Sequence, residues 1–451
     1  MTRAKPHSTP RTIGTTLALA LLLPLAAGCA ETGQIVRSAD VFNVLDREDP
    51  PLPGERRSLD RRADPLEVDP ETAGTVSLPG PQDNAEWSQP GGTATNAPGH
   101  VAYAAGGGSA WRIAAARVDR RGRLTAPPIV HQGQVIVMDG EGSLSAYSQS
   151  GGGRSWSTSL RPEGQRDTAF GGGVAADGGV IVAATPFRQV HGIDPESGGV
   201  VWSSDIEAPA RSAPTVAGGR AFVVSSDNKV YAFDASDGSE LWRFTGSRGE
   251  AGVVGNASPA VSGNTVIVPF SSGELIAFDV DSGEPQWFDA LSGDSRFTAV
   301  SGLNDVVARP VVHDGVVYAV SVSGRMIAVR ASNGERLWAQ SVASAHTPAV
   351  AGNTIFVTTL EGEVVALDRS SGDPRWRQSI SGEERVDLAG PLLAGGRLLV
   401  GTSDGRLVML DPADGSVVSG ESVGDPVYIP PIAASGRVLV LDNGGDLTAF
   451  N

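Results

Sequence analysis

From residue 109 the chain repeats itself, and this limits the folds open to it more than its length does. The segment APTVAGGRAFVVSSDNKVYAFDASDGSELW (213–242) matches SPAVSGNTVIVPFSSGELIAFDVDSGEPQW (258–287). RPVVHDGVVYAVSVSGRMIAVRASNGERLW (309–338) and TPAVAGNTIFVTTLEGEVVALDRSSGDPRW (347–376) follow the same pattern. A fixed period of this kind marks an architecture in which one supersecondary unit stacks on its neighbours. Each unit reads as four short strands: Pro-x-Val, a β-branched run, a second run after a glycine turn, and a strand ending near tryptophan. Proline is tolerated at the opening of the first strand, where no ladder donor is needed. The Asp-x-x-x-Gly turns supply the positive-φ positions that tight hairpins require.

Seven tryptophans count the units: Trp111, Trp156, Trp202, Trp242, Trp287, Trp338 and Trp376. An eighth position falls near Ser419, where DGSVVSG has no ring. The C-terminal PPIAASGRVLVLDNGGDLTAFN supplies three strands without a fourth, and SAWRIAAA at 109–116 is a fourth strand without its first three. The two ends therefore complete one sheet. Residues 106–451 give about 43 residues for each of eight units, the length of a four-stranded propeller blade. The expected fold is all-β: an eight-bladed β-propeller of four-stranded blades over 106–451, its ring closed by an N-terminal strand. Radial closure protects the strand edges from pairing with other chains.

Charge and cysteine content narrow the functions. Acidic residues outnumber basic ones, 51 to 35, for a net charge of -16. Such a chain repels phosphate backbones, which excludes nucleic-acid binding as a class. The single cysteine, Cys29, excludes an internal disulfide, a cysteine-rich zinc site and a CxxCH haem attachment.

Residues 1–28 carry Arg3, Lys5 and Arg11 and no acid, then an apolar run from about Ile13 to Ala27 that ends in Leu-Ala-Ala-Gly-Cys at 25–29. A basic head, a short apolar stretch and small closing residues make a secretory signal, shorter than the roughly 20 apolar residues that span a bilayer. Residues 30–105 are rich in proline, glycine and charge with no sustained period, and read as a flexible tether. Trp87 is the one large anchor in it. The expected organisation is a signal over 1–28, a lipid-anchored flexible linker over 29–105 and the propeller over 106–451.

The end of the leader resembles a bacterial lipobox, in which the cysteine is acylated and becomes the first residue of the mature chain. Ala26 stands where that pattern prefers leucine, and Ala30 rather than aspartate follows Cys29, which by the same resemblance implies passage to the outer membrane. The AFDxxSGxxxW turn resembles the tryptophan-docking motif of the quinoprotein (PQQ-type) propellers, over the whole of 106–451. A lipobox with a solitary propeller of this kind is similar to BamB, the lipoprotein of the outer-membrane β-barrel assembly machine. The resemblance implies a non-catalytic, cofactor-free scaffold on the periplasmic face of the outer membrane. Its partners would be the periplasmic domains of BamA, other Bam subunits and unfolded barrel precursors. The 30–105 tether is longer than in the better-known members.

Two other readings stand beside this one: a PQQ-dependent periplasmic oxidoreductase, and a propeller lipoprotein that binds another periplasmic partner. Quinoprotein chemistry usually uses a vicinal disulfide, which one cysteine cannot form, and a calcium site. Asp279-Val-Asp281-Ser-Gly283-Glu284 looks faintly like a calcium loop but is the blade turn of every unit. Gly401-Thr-Ser403-Asp-Gly405 fits the nucleophile-elbow spacing, yet that chemistry needs a strand-to-helix turn and this segment reads as a hairpin. The six histidines, His7, His100, His131, His191, His313 and His346, have no metal-ligand spacing.

Connection length remains as a pointer, because long loops on a rigid scaffold collect binding residues. The longest stretch between a tryptophan and the next first-strand proline is 288–309. In BamB-like proteins the corresponding loop carries a Leu-x-Asp-x-Asp contact for BamA; Leu303 and Asp305 keep it, while Val307 replaces the second aspartate. A second family contact, Leu-x-Leu-Arg, is matched only by Arg211, displaced by two residues and without the leucines. The resemblance thus implies Leu303, Asp305 and Arg211 as partner-binding residues, with Asp305 projecting as an exposed carboxylate.

Overall fold

A computed structural model describes residues 64–71, 73–104, 106, 108–118, 123–165, 171–247, 257–291, 305–380 and 385–451. The first strand, β1 (Ser109–Ala114), stands alone in sequence before the blades. Residues 129–159 form β2 to β5, 173–205 β6 to β9, 215–245 β10 to β13, and 260–290 β14 to β17. Residues 311–340 form β18 to β21, 349–379 β22 to β25, 388–422 β26 to β29, and 432–450 β30 to β32. Each group is an antiparallel four-stranded sheet in chain order, except the last, whose order is β1-β32-β31-β30. The eight sheets are the blades of an eight-bladed β-propeller.

In β1, Trp111 pairs with Ala449 and Ala114 with Asp446, so the N-terminal strand is the outermost strand of the eighth blade. The middle strands are nearly all buried, since both faces of a blade pack on neighbouring blades; Ile181, Phe222, Ile267 and Phe356 are fully covered. Most of the outermost strands alternate, and their most covered position belongs to tryptophan, as in β9 (Val200–Asp205).

That indole docks on the following blade. Trp156 Nε1 donates to Pro195 O at 2.9 Å, Trp202 to Ala235 O at 3.0 Å, and Trp242 to Val280 O at 3.0 Å. Trp287, Trp338 and Trp376 repeat the bond to Ala331, Arg369 and Pro412, and Trp111 makes it to Gln149. Each acceptor lies in or beside the turn between the third and fourth strands of the next blade. The motif is therefore a clasp between blades, with a buried aromatic body and a satisfied N–H.

Ser419 has no ring because nothing waits to receive one. The corresponding turn of the eighth blade would join β32 to β1, and there the backbone is interrupted, with Asn451 N donating to Gly108 O at 3.0 Å. Arg112 holds this boundary instead, donating to Val423 O at 2.6 Å and Asp446 Oδ2 at 2.8 Å, and to Asp442 Oδ2 at 3.1 Å.

The flexible linker expected over 29–105 is corrected for its described part. Residues 75–101 bond to all eight blades. Trp87 exchanges two 2.9 Å backbone bonds with Val130 of the first blade. Ala176 N donates to Ser88 O, Val261 N to Ala94 O and Val312 N to Thr95 O, in the second, fourth and fifth blades. Gln89 spans the second and third, donating to Ala176 O and Val216 O and accepting from Val216 N. Ser77, Val101 and Asn84 reach the sixth, seventh and eighth blades through Asn353, Leu393 and Ala433.

These partners sit in the innermost strands or the hairpins after them, so the segment plugs one end of the axis. Trp87, at 4% exposure, is its buried anchor. A proline- and glycine-rich composition suits this course because the segment adopts no regular structure while its backbone groups bond blade by blade.

Candidate functional site

Connections from each outermost strand to the next innermost strand gather at the end of the axis opposite the plug. They place Arg123, Arg211, Asp305, Arg309, His346, Arg385 and Tyr428 on one face. Loops on a rigid propeller are where functional groups collect.

Arg211 and Asp305 meet there. Arg211 leads into β10 (Thr215–Ala217) and Asp305 into β18 (Val311–His313), and Arg211 Nη2 donates to Asp305 Oδ1 and, at 3.2 Å, to Val306 O. Both are buried, with side-chain exposures of 6% and 0%. Burial pulls the Arg211 guanidinium below its usual range, and the Asp305 carboxylate pushes back. The expected exposed carboxylate is thus corrected: Asp305 does not project, because its charge is consumed by an arginine brought from another connection. Arg211 likewise faces inward. Leu303 lies outside the described residues, as does Cys29. Val307, where the family pattern has a second aspartate, is 5% exposed.

Beside this pair a cavity of about 330 Å³ opens, lined by Arg123, Val307, Arg309, His346, Arg385 and Tyr428 among others. The Arg123 guanidinium stacks over Tyr428, 3.9 Å from the ring centre. His346 is pushed down to about 4, mainly by burial and then by the Arg309 charge, with Asp387 opposing. It is a neutral ring near pH 7. Sequence reasoning missed this cavity, since its walls come from five separate connections that share no motif.

The hairpin reading of Gly401–Gly405 agrees with the structure, in which Thr402 closes β27 (Arg397–Thr402) and Arg406 opens β28 (Arg406–Leu410).

The sequence model described as outer membrane protein assembly factor BamB matches residues 140–378 and 361–451. The chain belongs to the BamB family. BamB of Yersinia pestis is 27% identical over 322 residues, covering 70% of this chain and 81% of its own. BamB of Escherichia coli K12 is 26% identical over 323 residues, covering 70% and 82%.

The crystal structure of BamB from Moraxella catarrhalis superposes with a TM-score of 0.65 at 20% identity, covering 76% of this chain and 98% of that one. A quinohemoprotein alcohol dehydrogenase from Comamonas testosteroni reaches the same TM-score at 15% identity, covering 81% and 80%. The propeller is therefore shared by an assembly factor and a dehydrogenase, and fold alone does not choose between them. The chain has one cysteine, and among the described residues no three His, Cys, Asp or Glu side chains group to hold a metal.

Proposed function

We propose that the protein is a non-catalytic, lipid-anchored scaffold for assembly of outer-membrane β-barrel proteins, docking the periplasmic domains of BamA. The observation that carries this reading is the family match running through the propeller from residue 140 to 451. Acylation at Cys29 holds it at the periplasmic face of the outer membrane, and other Bam subunits and unfolded barrel precursors complete its partners. The connection that carries Asp305 is the docking loop, with Leu303 its apolar contact. Arg211 and Asp305 act from inside, fixing where that loop leaves the propeller.

Affinity capture from detergent-solubilised envelopes, read by mass spectrometry, tests the assignment. The expected result is co-purification of a barrel-forming outer-membrane protein, reduced roughly tenfold by Leu303→Ala at unchanged melting temperature. Capture of no such protein rejects the scaffold role. Cys29→Ser removes the sulfur that carries the thioether, so the variant is expected to leave the outer-membrane fraction on washing.

A further inference from the structure

The cavity on the connection face has chemistry that the assembly reading leaves unused. Its volume falls at the lower end of small-ligand sites. Arg309 forms part of its wall and is only 4% exposed. Its backbone N and Nη1 both approach Thr347 Oγ1, at 3.3 and 3.4 Å, while Nε and Nη2 have no hydrogen-bond partner. Burial alone pulls the guanidinium down to about 10, with no carboxylate near enough to oppose it. A buried cation without a counter-ion works against folding, and such violations concentrate at functional sites.

The surroundings complete the case. Arg123 and Arg385 stand exposed on the rim, Asp387 is the one acidic side chain among the described residues of the wall, and His346 is uncharged. Among the described residues three cations thus face one anion, in a chain whose net charge is -16. Between these charged groups lie the apolar side chains Leu124, Val307, Leu388 and Ile429. Behind Arg309 a void of about 50 Å³, bounded by Trp87 and Asn96 of the plug, has room for water and no more. The plug makes the cavity blind.

We infer that this cavity binds a carboxylate carried on a small apolar body, the carboxylate reaching the Arg309 fork and the body lying against Leu124, Val307 and Leu388. Guanidinium and carboxylate form the strongest class of protein hydrogen bond, and Nε and Nη2, unpartnered but covered, come within reach when the guanidinium turns. The carboxylate belongs either to a free organic acid or to the chain end of a peptide; the site chemistry is the same. Nothing in this inference depends on the role in barrel assembly.

Isothermal titration at constant ionic strength tests it with two acid and amide pairs. Hexanoate against hexanamide probes the free acid; acetyl-Ala-Ala-Leu with a free or amidated end probes the peptide. At least one acid is expected to bind saturably with a Kd of about 1 mM or tighter, its amide at least tenfold more weakly. Arg309→Met is expected to weaken the acid at least tenfold while melting no lower than the parent, which separates lost binding from lost fold. Should that variant not fold, Arg385→Gln on the exposed rim is expected to weaken binding in a salt-sensitive way. Tighter binding of hexanoate assigns a free acid, and tighter binding of the peptide a chain end. The inference is overturned if neither acid binds below about 10 mM. It also fails if the amides bind equally well, if Arg309→Met binds like the parent, or if Arg385→Gln binds unchanged at low salt.

Discussion

Gly283 leaves no space for a methyl group beneath Trp242. A Cβ built there would lie 2.5 Å from indole Cδ2, and the residue holds φ at 69°. The fourth blade's turn thus accepts the third blade's indole only because glycine occupies that place.

Gly283→Ala should therefore cost more than backbone strain. Gly263 provides the comparison, with φ at 58° and nothing within 4 Å of its missing Cβ. Gly263→Ala is expected to cost about 1 kcal/mol from the left-handed backbone, and Gly283→Ala a further 1–3 kcal/mol from overpacking. Urea denaturation of both variants measures the difference. Equal losses would mean that the indole contact is loose.

Arg211→Ala removes the guanidinium from the buried pair with Asp305, at an expected cost of about 3–5 kcal/mol. Replacing both, Arg211→Met with Asp305→Leu, should restore most of that loss, since no charge remains to desolvate. A double variant as unstable as the single would show that the pair's geometry matters more than its charge.

Gln89, at 3% exposure, joins the second and third blades through three hydrogen bonds of its amide. Gln89→Leu strands Ala176 O, Val216 O and Val216 N. A loss of at least about 2 kcal/mol is expected, seen as a lower urea midpoint at unchanged slope. No loss would mean that the plug rests on the propeller without supporting it.

His346 gives the acid limb a defined sign. Its pKa lies near 4 in the folded protein, against 6.5 for the free side chain. Between those values the unfolded chain binds more protons, so stability is full above about pH 6.5 and falls as pH drops toward 4. The contribution is at most about 3 kcal/mol, reduced by the ring's partial access to water. His191 and His313 are lowered by burial too, so His346→Asn should shallow the decline without abolishing it. Melting temperatures from pH 7 to 4.5 test this, and superimposable profiles would contradict it.

The repeat was readable because its signals are local: an Asp-x-x-x-Gly turn and a tryptophan a few residues later specify one hairpin each. Even Ser419 follows from the rule, once the missing turn between β32 and β1 is known. The plug was not readable. Its bonds run to seven innermost strands and one hairpin scattered through the chain, and such a path requires no periodicity of its own. Trp87 was its one visible trace. The burial of Asp305 was hidden for a related reason. Its partner lies 94 residues away, and loop length suggests exposure until that pairing is known.

The plug and β1 also set an order in time. Asn84 bonds Ala433 across 349 residues, and Trp111 pairs beside Ala449 near the last residue. Early-made residues therefore wait for partners made more than 300 positions later. Throughout synthesis, Trp87 and Trp111 have no finished site, and the growing arc of blades keeps both ends open. Contacts of such long separation are slow to form, and unpaired edges are prone to stray pairing in the interval. The final twenty or so residues thus act as a latch: losing them would leave seven blades made, with the ring unclosed and the axis only partly stoppered.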